Sequence, residues 1–290
     1  MVSSILSEIK RNVSLAPFTS FKIGGKAKYF YSLKNKRMLP FLIKWARKKK
    51  LPVFILGSGS NVLVSDQGYP GLAILMRLSR IKMEKGLVAA DSGVLLSRVL
   101  NFCLKNNLSG LEWAVGIPGT IGGAMVNNAG AFGKSIGDFV AKAEVLKIEK
   151  FIEMNKKEMD FSYRQSVFKK PGNKYLITRV WLKGFGKMTS ESKKLVADYL
   201  RKRTESQPQK PSAGCVFKNP PGYSAGFLIE KCGLKGYQIG GAEISQKHAN
   251  FIINHNQQAK ARDVLDLINL IKEKVKKKFN VDLVEEIQLL

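Results

Sequence analysis

The sequence predicts a folded globular protein of mixed strands and helices, arranged in three blocks. Its 290 residues are 44% hydrophobic, which is enough to fill more than one core. Short apolar runs rich in β-branched residues alternate with segments of helical spacing. Two glycine-rich loops interrupt these elements, and a polar linker with two prolines, residues 207–212, precedes the last block.

The first block, residues 1–80, contains a strand, a helix, a strand that enters a glycine-rich loop, and a further strand. These segments are 19–31, 35–50, 52–56 and 72–76. The second block, residues 81–205, contains a strand, a helix, the second glycine-rich loop, a strand-forming region, a further strand and a helix. These are 87–90, 94–106, 116–124, 139–151, 174–184 and 187–203.

The third block, residues 206–285, closes the chain. It contains two helices, near 224–232 and over 261–279, and residues 281–290 alternate as a strand. We expect residues 286–290 to join the first block.

The two glycine-rich loops predict a binding site for a large phosphate-bearing cofactor. In Gly57–Asn61, glycines allow successive N–H groups to point into one concavity, and Ser58, Ser60 and Asn61 add side-chain donors. The loop lacks the third glycine of a dinucleotide fingerprint, and neither loop has the Gly-Lys-Ser/Thr ending of a P-loop. Each loop alone would also suit an ordinary turn between strands, but the pair favours the cofactor.

Charge and cysteine content indicate which other ligands and cross-links the protein can have. The net charge of +27 raises nucleic-acid binding as a hypothesis, but the lysines are scattered over predicted helical surfaces and no recognition motif is present. Such a field would also attract a highly phosphorylated substrate. Three cysteines without metal-ligand spacing indicate neither a disulfide framework nor a metal site.

The termini and hydropathy carry no targeting signal. No apolar run approaches the ~18 residues of a membrane span. Residues 1–10 lack a basic head followed by an apolar core. We therefore expect a cytoplasmic protein that does not insert into membranes and binds no nucleic acid, and we expect a monomer.

Several side chains suit chemistry on a charged ligand. The planar fork of Arg164 matches a carboxylate or phosphate, although an isolated arginine more often forms a surface ion pair. Cys215 lies on a turn of small residues beside Lys218 and Asn219, although buried cysteines are usually inert. In the C-terminal alternation, one member of the Glu285-Glu286 pair should face inward.

Six motifs together resemble the UDP-N-acetylenolpyruvoylglucosamine reductase family, and the likeness extends over nearly the whole chain. The motifs are 12–25, 57–61, 116–133, 162–164, 213–220 and 240–250. The resemblance implies an α+β fold of the vanillyl-alcohol-oxidase (PCMH) type, with two α+β subdomains that bind FAD and a C-terminal α+β domain that binds substrate. It favours the shorter subgroup of the family, which lacks an inserted tyrosine-bearing loop.

The resemblance also implies a reaction. FAD, bound non-covalently, takes a hydride from NADPH and passes it from flavin N5 to the methylene carbon of UDP-N-acetylglucosamine enolpyruvate, giving UDP-N-acetylmuramate for peptidoglycan. By motif, Arg164 binds the substrate carboxylate, Glu286 assists as a protonated acid, and Cys215, where most relatives have serine, protonates the adjacent carbon. The family's Glu-Pro-Glu reads Val284-Glu285-Glu286 here, so Glu285 is the lesser candidate.

The resemblance assigns the binding residues as follows. The cofactor-binding residues are Gly57, Ser58, Gly59, Ser60, Asn61, Pro118, Gly119, Thr120, Gly122, Gly123 and Ala124. The substrate-binding residues are Tyr163, Arg164, Lys218, Asn219, Lys247 and His248, and a hydrogen-bonding structural role is an equal alternative for His248.

Two other functions remain as alternatives. One is a different FAD enzyme of the same fold, which oxidises an alcohol or hydroxy acid with oxygen as acceptor. The sequence shows no motif for covalent flavin attachment, which weighs against it. The other is a basic nucleic-acid-binding protein without catalysis, which would carry no flavin colour.

Overall fold

The structure is a computed structural model that describes residues 7–290. The strands are β1 (Lys10–Ser14), β2 (Lys26–Leu33), β3 (Val53–Leu56), β4 (Val62–Leu63), β5 (Tyr69–Met76), β6 (Ile81–Glu84), β7 (Leu87–Asp91), β8 (Leu108–Ser109), β9 (Gly130–Ala131), β10 (Lys134–Ser135), β11 (Val140–Lys147), β12 (Lys150–Asn155), β13 (Tyr175–Leu182), β14 (Gly186–Lys187), β15 (Ser212–Cys215), β16 (Gln238–Ile239), β17 (Ala242–Ile244), β18 (Phe251–Asn254) and β19 (Gln288–Leu289). The helices are α1 (Leu39–Lys48), α2 (Leu96–Lys105), α3 (Ile121–Asn127), α4 (Ile136–Phe139), α5 (Ser190–Ser206), α6 (Ala225–Lys231) and α7 (Ala261–Phe279).

The described chain divides into two compact units. Unit 1 contains residues 7–9, 30–58 and 71–202, and unit 2 contains residues 10–29, 59–70 and 203–290. The division falls inside the loop Gly57–Asn61, after Ser58. The predicted domain limits stay predictions. Residues 1–6, part of the segment searched for a targeting signal, lie outside the described residues.

Unit 1 is built on an antiparallel sheet of order β12-β11-β13-β7-β6. Its apolar face, with helices α2 and α3, encloses a core that includes Val99, Trp113, Met125 and Val180, each at most 2% exposed. In the same unit β3 pairs in parallel with β5, Val53 opposite Leu72. Burying these β-branched and aromatic side chains is the main favourable contribution to folding.

Unit 2 is built on a sheet of order β15-β18-β17-β16, with all neighbours antiparallel. Helix α7 packs on β16 and β17 through one apolar face that includes Val264, Leu267 and Ile271. Its first two N–H groups donate to the Asp66 carboxylate, Ala261 N at 2.8 Å and Arg262 N at 3.1 Å, so an acidic residue caps the positive end of the helix.

Most predicted elements are present near their predicted positions, and α7 begins and ends at the predicted residues. Two predictions are wrong in extent. The strand predicted over 19–31 begins only at Lys26, because Lys22 (φ +59°) and Gly24 (φ +144°) turn the backbone away from extended geometry. The alternating strand predicted over 281–290 is reduced to β19 and an isolated bridge between Phe217 and Glu285.

Candidate active site

Within unit 1, the first glycine-rich loop meets the second. Strand β3 ends at Leu56, and a Cβ added to Gly57 would lie 2.6 Å from Thr120 Oγ1, closer than real Cβ contacts allow. The Ser58 hydroxyl donates to Pro118 O at 2.8 Å. The structure therefore brings these four predicted cofactor-binding residues together, and glycine at 57 is required for the close approach.

The second loop continues into α3, for which Thr120 is the N-cap. Its hydroxyl accepts a hydrogen bond from Gly123 N at 3.2 Å. Gly122 packs on the turn after β7, where its N–H donates to Ser92 O at 2.9 Å and an added Cβ would lie 2.8 Å from Ser92 Cβ. Gly122 is therefore needed for packing within the protein.

Gly123 differs from its neighbour because it is exposed. The nearest atom to an added Cβ there is Thr120 Oγ1, at an ordinary 3.5 Å. The protein itself thus has room for a side chain at this position. A glycine with an open face at the start of a helix fits a ligand that approaches the backbone closely, as a flavin nucleotide would.

Within unit 2, the loop continues through Gly59, which has a left-handed backbone (φ +65°). An added Cβ would lie 2.2 Å from Phe18 O, and Gly59 O accepts a hydrogen bond from Ser20 N at 3.1 Å. Ser20 Oγ also lies 2.6 Å from Ser212 O, at the start of β15. The motif around residue 20 thus supports both the loop and the strand that ends at Cys215.

The end of the loop is hydrogen-bonded to the C-terminal segment. Asn61 Nδ2 donates to Glu286 O at 3.1 Å, and Gln288 N donates to Asn61 O at 2.9 Å. Glu286 N in turn donates to Val216 O at 2.8 Å. These hydrogen bonds therefore join three segments that are far apart in sequence but belong to one unit. The segments contribute Asn61 of the glycine-rich loop, Glu286, and Val216, which follows Cys215.

Cys215 is half-buried at the end of β15, opposite Phe251. Gly214 before it has φ +78°, and the ladder shifts register between Ser212 and Cys215. The bulge changes the direction in which the following side chains point. Bulges of this kind are common next to active sites, which agrees with the predicted role of the thiol.

The other two cysteines are poorer candidates for proton transfer. Burial, with a smaller contribution from Glu112, raises the pKa of Cys103 to about 12, and this thiol is 1% exposed in the core of unit 1. Burial also raises the pKa of Cys232, although Lys278 and Lys274 oppose the shift. Both therefore behave as small apolar side chains.

Of the two adjacent glutamates, Glu285 forms an ion pair with helix α7. The Glu285 carboxylate accepts from Lys272 Nζ on α7 at 2.9 Å. Because successive side chains in extended backbone point to opposite sides, we expect the Glu286 side chain to point away from that helix. Val284 is 55% exposed and Ile287 is 5% exposed, so the segment lies at the edge of the core. The ion pair gives Glu285 a structural role and favours Glu286 as the acid.

Of the predicted substrate-binding residues of unit 2, Lys218 contacts this segment, and Asn219 and Lys247 have other partners. Lys218 N donates to Val284 O at 2.9 Å, and Asn219 Oδ1 accepts from Ala225 N at 3.0 Å, at the start of α6. The exposed Lys247 donates from Nζ to Thr204 O at 2.7 Å.

His248 has the environment of a structural imidazole. Burial lowers its pKa, and its Nδ1 accepts a hydrogen bond from Asn250 N at 3.2 Å. Its ring lies 4.9 Å from that of Phe251. A neutral tautomer with the proton on Nε2 satisfies both interactions.

Arg164 belongs to unit 1 and has a strained backbone, with φ +54°. It lies in a tight turn in which Ser162 and Gln165 exchange main-chain hydrogen bonds of 3.2 and 3.1 Å. Its guanidinium carbon lies 5.6 Å from the centroid of the exposed Tyr163 ring.

The turn is attached to the end of α3. Asn128, the left-handed C-cap of that helix, donates from Nδ2 to Ser162 O at 2.9 Å and accepts from Gly137 N at 3.0 Å. Ser166, fully buried, donates to Val126 O at 2.7 Å. One short helix therefore connects the second glycine-rich loop to Arg164.

Two buried asparagines that sequence reasoning did not assign to the site, Asn128 and Asn250, form side-chain hydrogen bonds with main-chain groups of Ser162 and Phe217, next to predicted site residues. Both lie inside matched motifs, which was the available signal. In the described part of the chain, no three His, Cys, Asp or Glu side chains are grouped so that they could hold a metal ion. Over residues 7–290, no helix combines the length and apolarity needed to cross a membrane.

Comparison with known proteins gives matches over the whole chain. Residues 207–290 match the C-terminal domain of UDP-N-acetylenolpyruvoylglucosamine reductase, and residues 27–149 match the FAD binding domain family. A UDP-N-acetylenolpyruvoylglucosamine reductase from Clostridium novyi is 42% identical over 285 residues, which is 97% of this chain and 92% of the relative. One from Caldanaerobacter subterraneus is 43% identical over 281 residues, 96% of this chain and 92% of the relative.

A solved structure agrees with these matches. The UDP-N-acetylenolpyruvylglucosamine reductase (MurB) of Thermus caldophilus is 35% identical, with a TM-score of 0.82 over 97% of this chain and 98% of that one. The matches confirm the predicted PCMH-type FAD-binding fold with a C-terminal domain, and they confirm FAD as the cofactor. The roles of individual residues stay predictions.

Proposed function

The chain belongs to the UDP-N-acetylenolpyruvoylglucosamine reductase family, and we propose that it reduces UDP-N-acetylglucosamine enolpyruvate to UDP-N-acetylmuramate with NADPH as hydride donor. The protein is an FAD-dependent oxidoreductase. The proposed reaction supplies a precursor of peptidoglycan, so we propose a role in cell-wall synthesis in the cytoplasm.

The reaction adds a hydride and a proton across the double bond of the enolpyruvyl group. The residues of the two glycine-rich loops would hold FAD, which would supply the redox chemistry that moves a hydride from NADPH to the methylene carbon of the substrate. Electron density then moves toward the carboxylate, and the protein must stabilise that charge and protonate the adjacent carbon.

Arg164 is the proposed partner of the substrate carboxylate. Its planar guanidinium donates two parallel hydrogen bonds to a carboxylate and stabilises the charge that develops there. Arg164 lies on a turn with a left-handed φ of +54°, and the hydrogen bond from Asn128 Nδ2 to Ser162 O holds that turn in place. A preorganised donor of this kind avoids reorganisation during the reaction.

Cys215 is the proposed proton donor. Its Sγ–H gives its proton to the carbon next to the carboxylate, and the resulting thiolate recovers a proton from solvent. A thiol, with an ordinary pKa near 8.5, is a stronger acid than the serine hydroxyl expected from the family. Glu286, in its protonated form, is proposed to donate a hydrogen bond to the substrate carboxylate.

The observation that best supports this assignment is the set of hydrogen bonds that joins Asn61, Glu286 and Val216 in unit 2. It ties a cofactor-loop residue to the proposed acid and to the neighbour of the proposed proton donor. A structural turn alone does not require these three segments to converge.

An anaerobic two-step experiment tests the function. NADPH is added while the flavin absorbance is followed, and UDP-N-acetylglucosamine enolpyruvate is added after the absorbance is lost. We expect NADPH to bleach the flavin and the substrate to restore its absorbance fully. Bleaching without recovery contradicts the proposed substrate, and absence of flavin contradicts the enzyme itself.

Two variants of Cys215 test the residue assignment. Cys215→Ala should leave bleaching by NADPH near normal and slow the recovery step about 100-fold or more, in the range of a lost general acid. Cys215→Ser should retain much of the recovery rate, because a hydroxyl can donate the same proton. Equal loss of both steps in Cys215→Ala contradicts the role.

A further inference from the structure

We propose that Asn250 is a positioning residue for protonation of the substrate, because its side chain fixes the main chain that carries Cys215 and contacts Glu286. This inference rests on the proposed function and assigns a role to a residue that touches neither substrate nor cofactor in that mechanism. The proposal concerns three consecutive residues, Cys215, Val216 and Phe217.

The side-chain amide of Asn250 forms two hydrogen bonds with one peptide residue. Its Oδ1 accepts from Phe217 N at 2.9 Å, and its Nδ2 donates to Phe217 O at 2.8 Å. The main-chain oxygen of Asn250 accepts from Val216 N at 2.8 Å. Asn250 is 3% exposed and Phe217 is fully buried, so these bonds form away from competing water.

The geometry explains why a side-chain amide is needed at this point. On one side, Val216 O and Lys218 N pair with Glu286 and Val284, as in an antiparallel ladder with Phe217 opposite Glu285. The N–H and C=O of Phe217 therefore point to the other side. The Asn250 amide offers one acceptor and one donor there, as a peptide group of a neighbouring strand would.

Both proposed acids, Cys215 and Glu286, therefore depend on the hydrogen bonds of the Asn250 side chain. Cys215 directly precedes the held residues, and Glu286 N donates to Val216 O at 2.8 Å. If the Asn250 amide is removed, the buried N–H and C=O of Phe217 lose these partners, and the segment must shift to satisfy them. Displacements of about 1 Å at reacting groups can slow a reaction about 100-fold.

The chain offers a matched control in Asn254, four residues later at the end of β18. Asn254 is 1% exposed, and its amide also bridges two main-chain groups, donating to Phe21 O at 2.9 Å and accepting from Ala259 N at 2.8 Å. It has the same residue type, burial and hydrogen-bonding pattern. It makes these bonds with residues outside the Cys215 segment.

The experiment measures both flavin steps in FAD-loaded wild-type protein, Asn250→Ala, Asn250→Asp and Asn254→Ala. We expect both Asn250 variants to slow recovery by substrate at least about tenfold relative to Asn254→Ala, with bleaching by NADPH changed much less. Recovery at the Asn254→Ala rate in both Asn250 variants, or equal slowing of both steps, overturns the proposal.

Asn250→Asp tests the proposal even if Asn250→Ala does not fold. At neutral pH the carboxylate still accepts from Phe217 N but has no proton to donate to Phe217 O, and protonation at lower pH restores a donor. We therefore expect the ratio of its recovery rate to that of the wild type to rise as the pH falls. A constant ratio overturns the proposal.

The ratio is the appropriate readout because both proteins share the other titratable groups around this segment. These groups are Cys215, Lys218, His248, Lys272, Glu285 and Glu286. If the wild-type protein itself shows no recovery, the proposed function fails, and the positioning role fails with it. If the wild type recovers and the Asn250 variants match it, only the positioning role fails.

Discussion

The side-chain amide of Asn61 donates a hydrogen bond to the main-chain oxygen of Glu286, with an N–O distance of 3.1 Å. Gln288 N completes the contact by donating to Asn61 O at 2.9 Å, where β19 runs parallel to β4. Within unit 2, the end of the glycine-rich loop at Asn61 and the main chain that carries the Glu286 carboxylate therefore hold each other in position. A residue predicted to bind cofactor thus also supports the proposed acid.

This arrangement predicts that the two adjacent glutamates are not equivalent. We expect Glu286→Gln to slow recovery of the flavin by substrate about tenfold to about 100-fold, because an amide N–H is a much weaker acid than a carboxyl O–H and its hydrogen bond stabilises the charge on the substrate carboxylate less. Bleaching by NADPH should change little. The measurement is the same pair of anaerobic flavin traces at saturating substrate.

Glu285→Gln is the matched control. It replaces a half-buried carboxylate that pairs with Lys272 at 2.9 Å. We expect a loss of about 1 kcal/mol or less in the free energy of unfolding, typical of a partly exposed ion pair, and nearly normal flavin kinetics. The assignment of Glu286 is contradicted if the kinetic defect appears in Glu285→Gln and not in Glu286→Gln.

Gly123→Ala separates cofactor binding from folding. An added Cβ meets only Thr120 Oγ1, at 3.5 Å, and alanine stabilises a helix by up to about 1 kcal/mol relative to glycine. We therefore expect the FAD-free protein to be at least as stable as the wild type. FAD affinity should fall at least about tenfold, because the methyl group occupies the open face where a flavin nucleotide would lie. Thermal unfolding and FAD titration measure the two effects.

Gly57→Ala serves as the comparison for that prediction. Its added Cβ would lie 2.6 Å from Thr120 Oγ1, so the variant should lose both stability and FAD affinity. If Gly123→Ala binds FAD as tightly as the wild type, the open face of Gly123 is not part of the cofactor site.

Ser92→Ala should stabilise the protein. Ser92 is 2% exposed, and among the described residues its hydroxyl has no hydrogen-bond partner. A buried unsatisfied polar group costs about 1 to 3 kcal/mol, so we expect the free energy of unfolding to rise by about 1 kcal/mol. Denaturant unfolding of the FAD-loaded protein measures the change.

Ser166→Ala is the opposite case. Ser166 is fully buried, but its hydroxyl donates to Val126 O at 2.7 Å. Removing it should lower the free energy of unfolding by about 1 kcal/mol, the usual net value of a hydrogen bond. If both serine variants lose stability equally, the Ser92 hydroxyl forms a hydrogen bond in the FAD-loaded protein and the prediction is wrong.

The sequence predicted the local features of the fold well. Helix α7 followed from its apolar spacing, and β3 from the run of β-branched residues before Gly57. The strand predicted over 19–31 failed because alternation does not reveal a lysine in left-handed backbone, as at Lys22. Local patterns can predict periodicity but not the backbone turns that interrupt it.

Local sequence patterns could not predict which strands pair when they are far apart in sequence. The pairing of Gln288 with Val62 joins segments that no periodicity relates, and it brings residues 59–70 into one unit with the C-terminal block. For the same reason the candidate residues could be chosen by motif, but the Asn250 support for Phe217 could not. Its partners are main-chain atoms, which carry no residue identity.

His248 should make stability depend on pH. Burial lowers its pKa from the ordinary 6.5, and its Nδ1 accepts a hydrogen bond from Asn250 N. A base with a lowered folded-state pKa binds its proton more readily in the unfolded state, so unfolding is favoured as the pH falls below the unfolded value. We expect the wild-type free energy of unfolding, measured with FAD in excess, to decrease from pH about 7.5 to about 5.5.

His248→Asn tests that dependence directly. Its Oδ1, bonded to Cγ as Nδ1 is in histidine, can still accept from Asn250 N, but it does not titrate. The difference between the wild type and the variant should therefore be largest at high pH and should shrink or reverse as the pH falls below 6.5, the ordinary value for histidine. Parallel curves for the two proteins over this range would show that His248 does not carry the pH dependence. In that case its lowered pKa would have no measurable effect on folding.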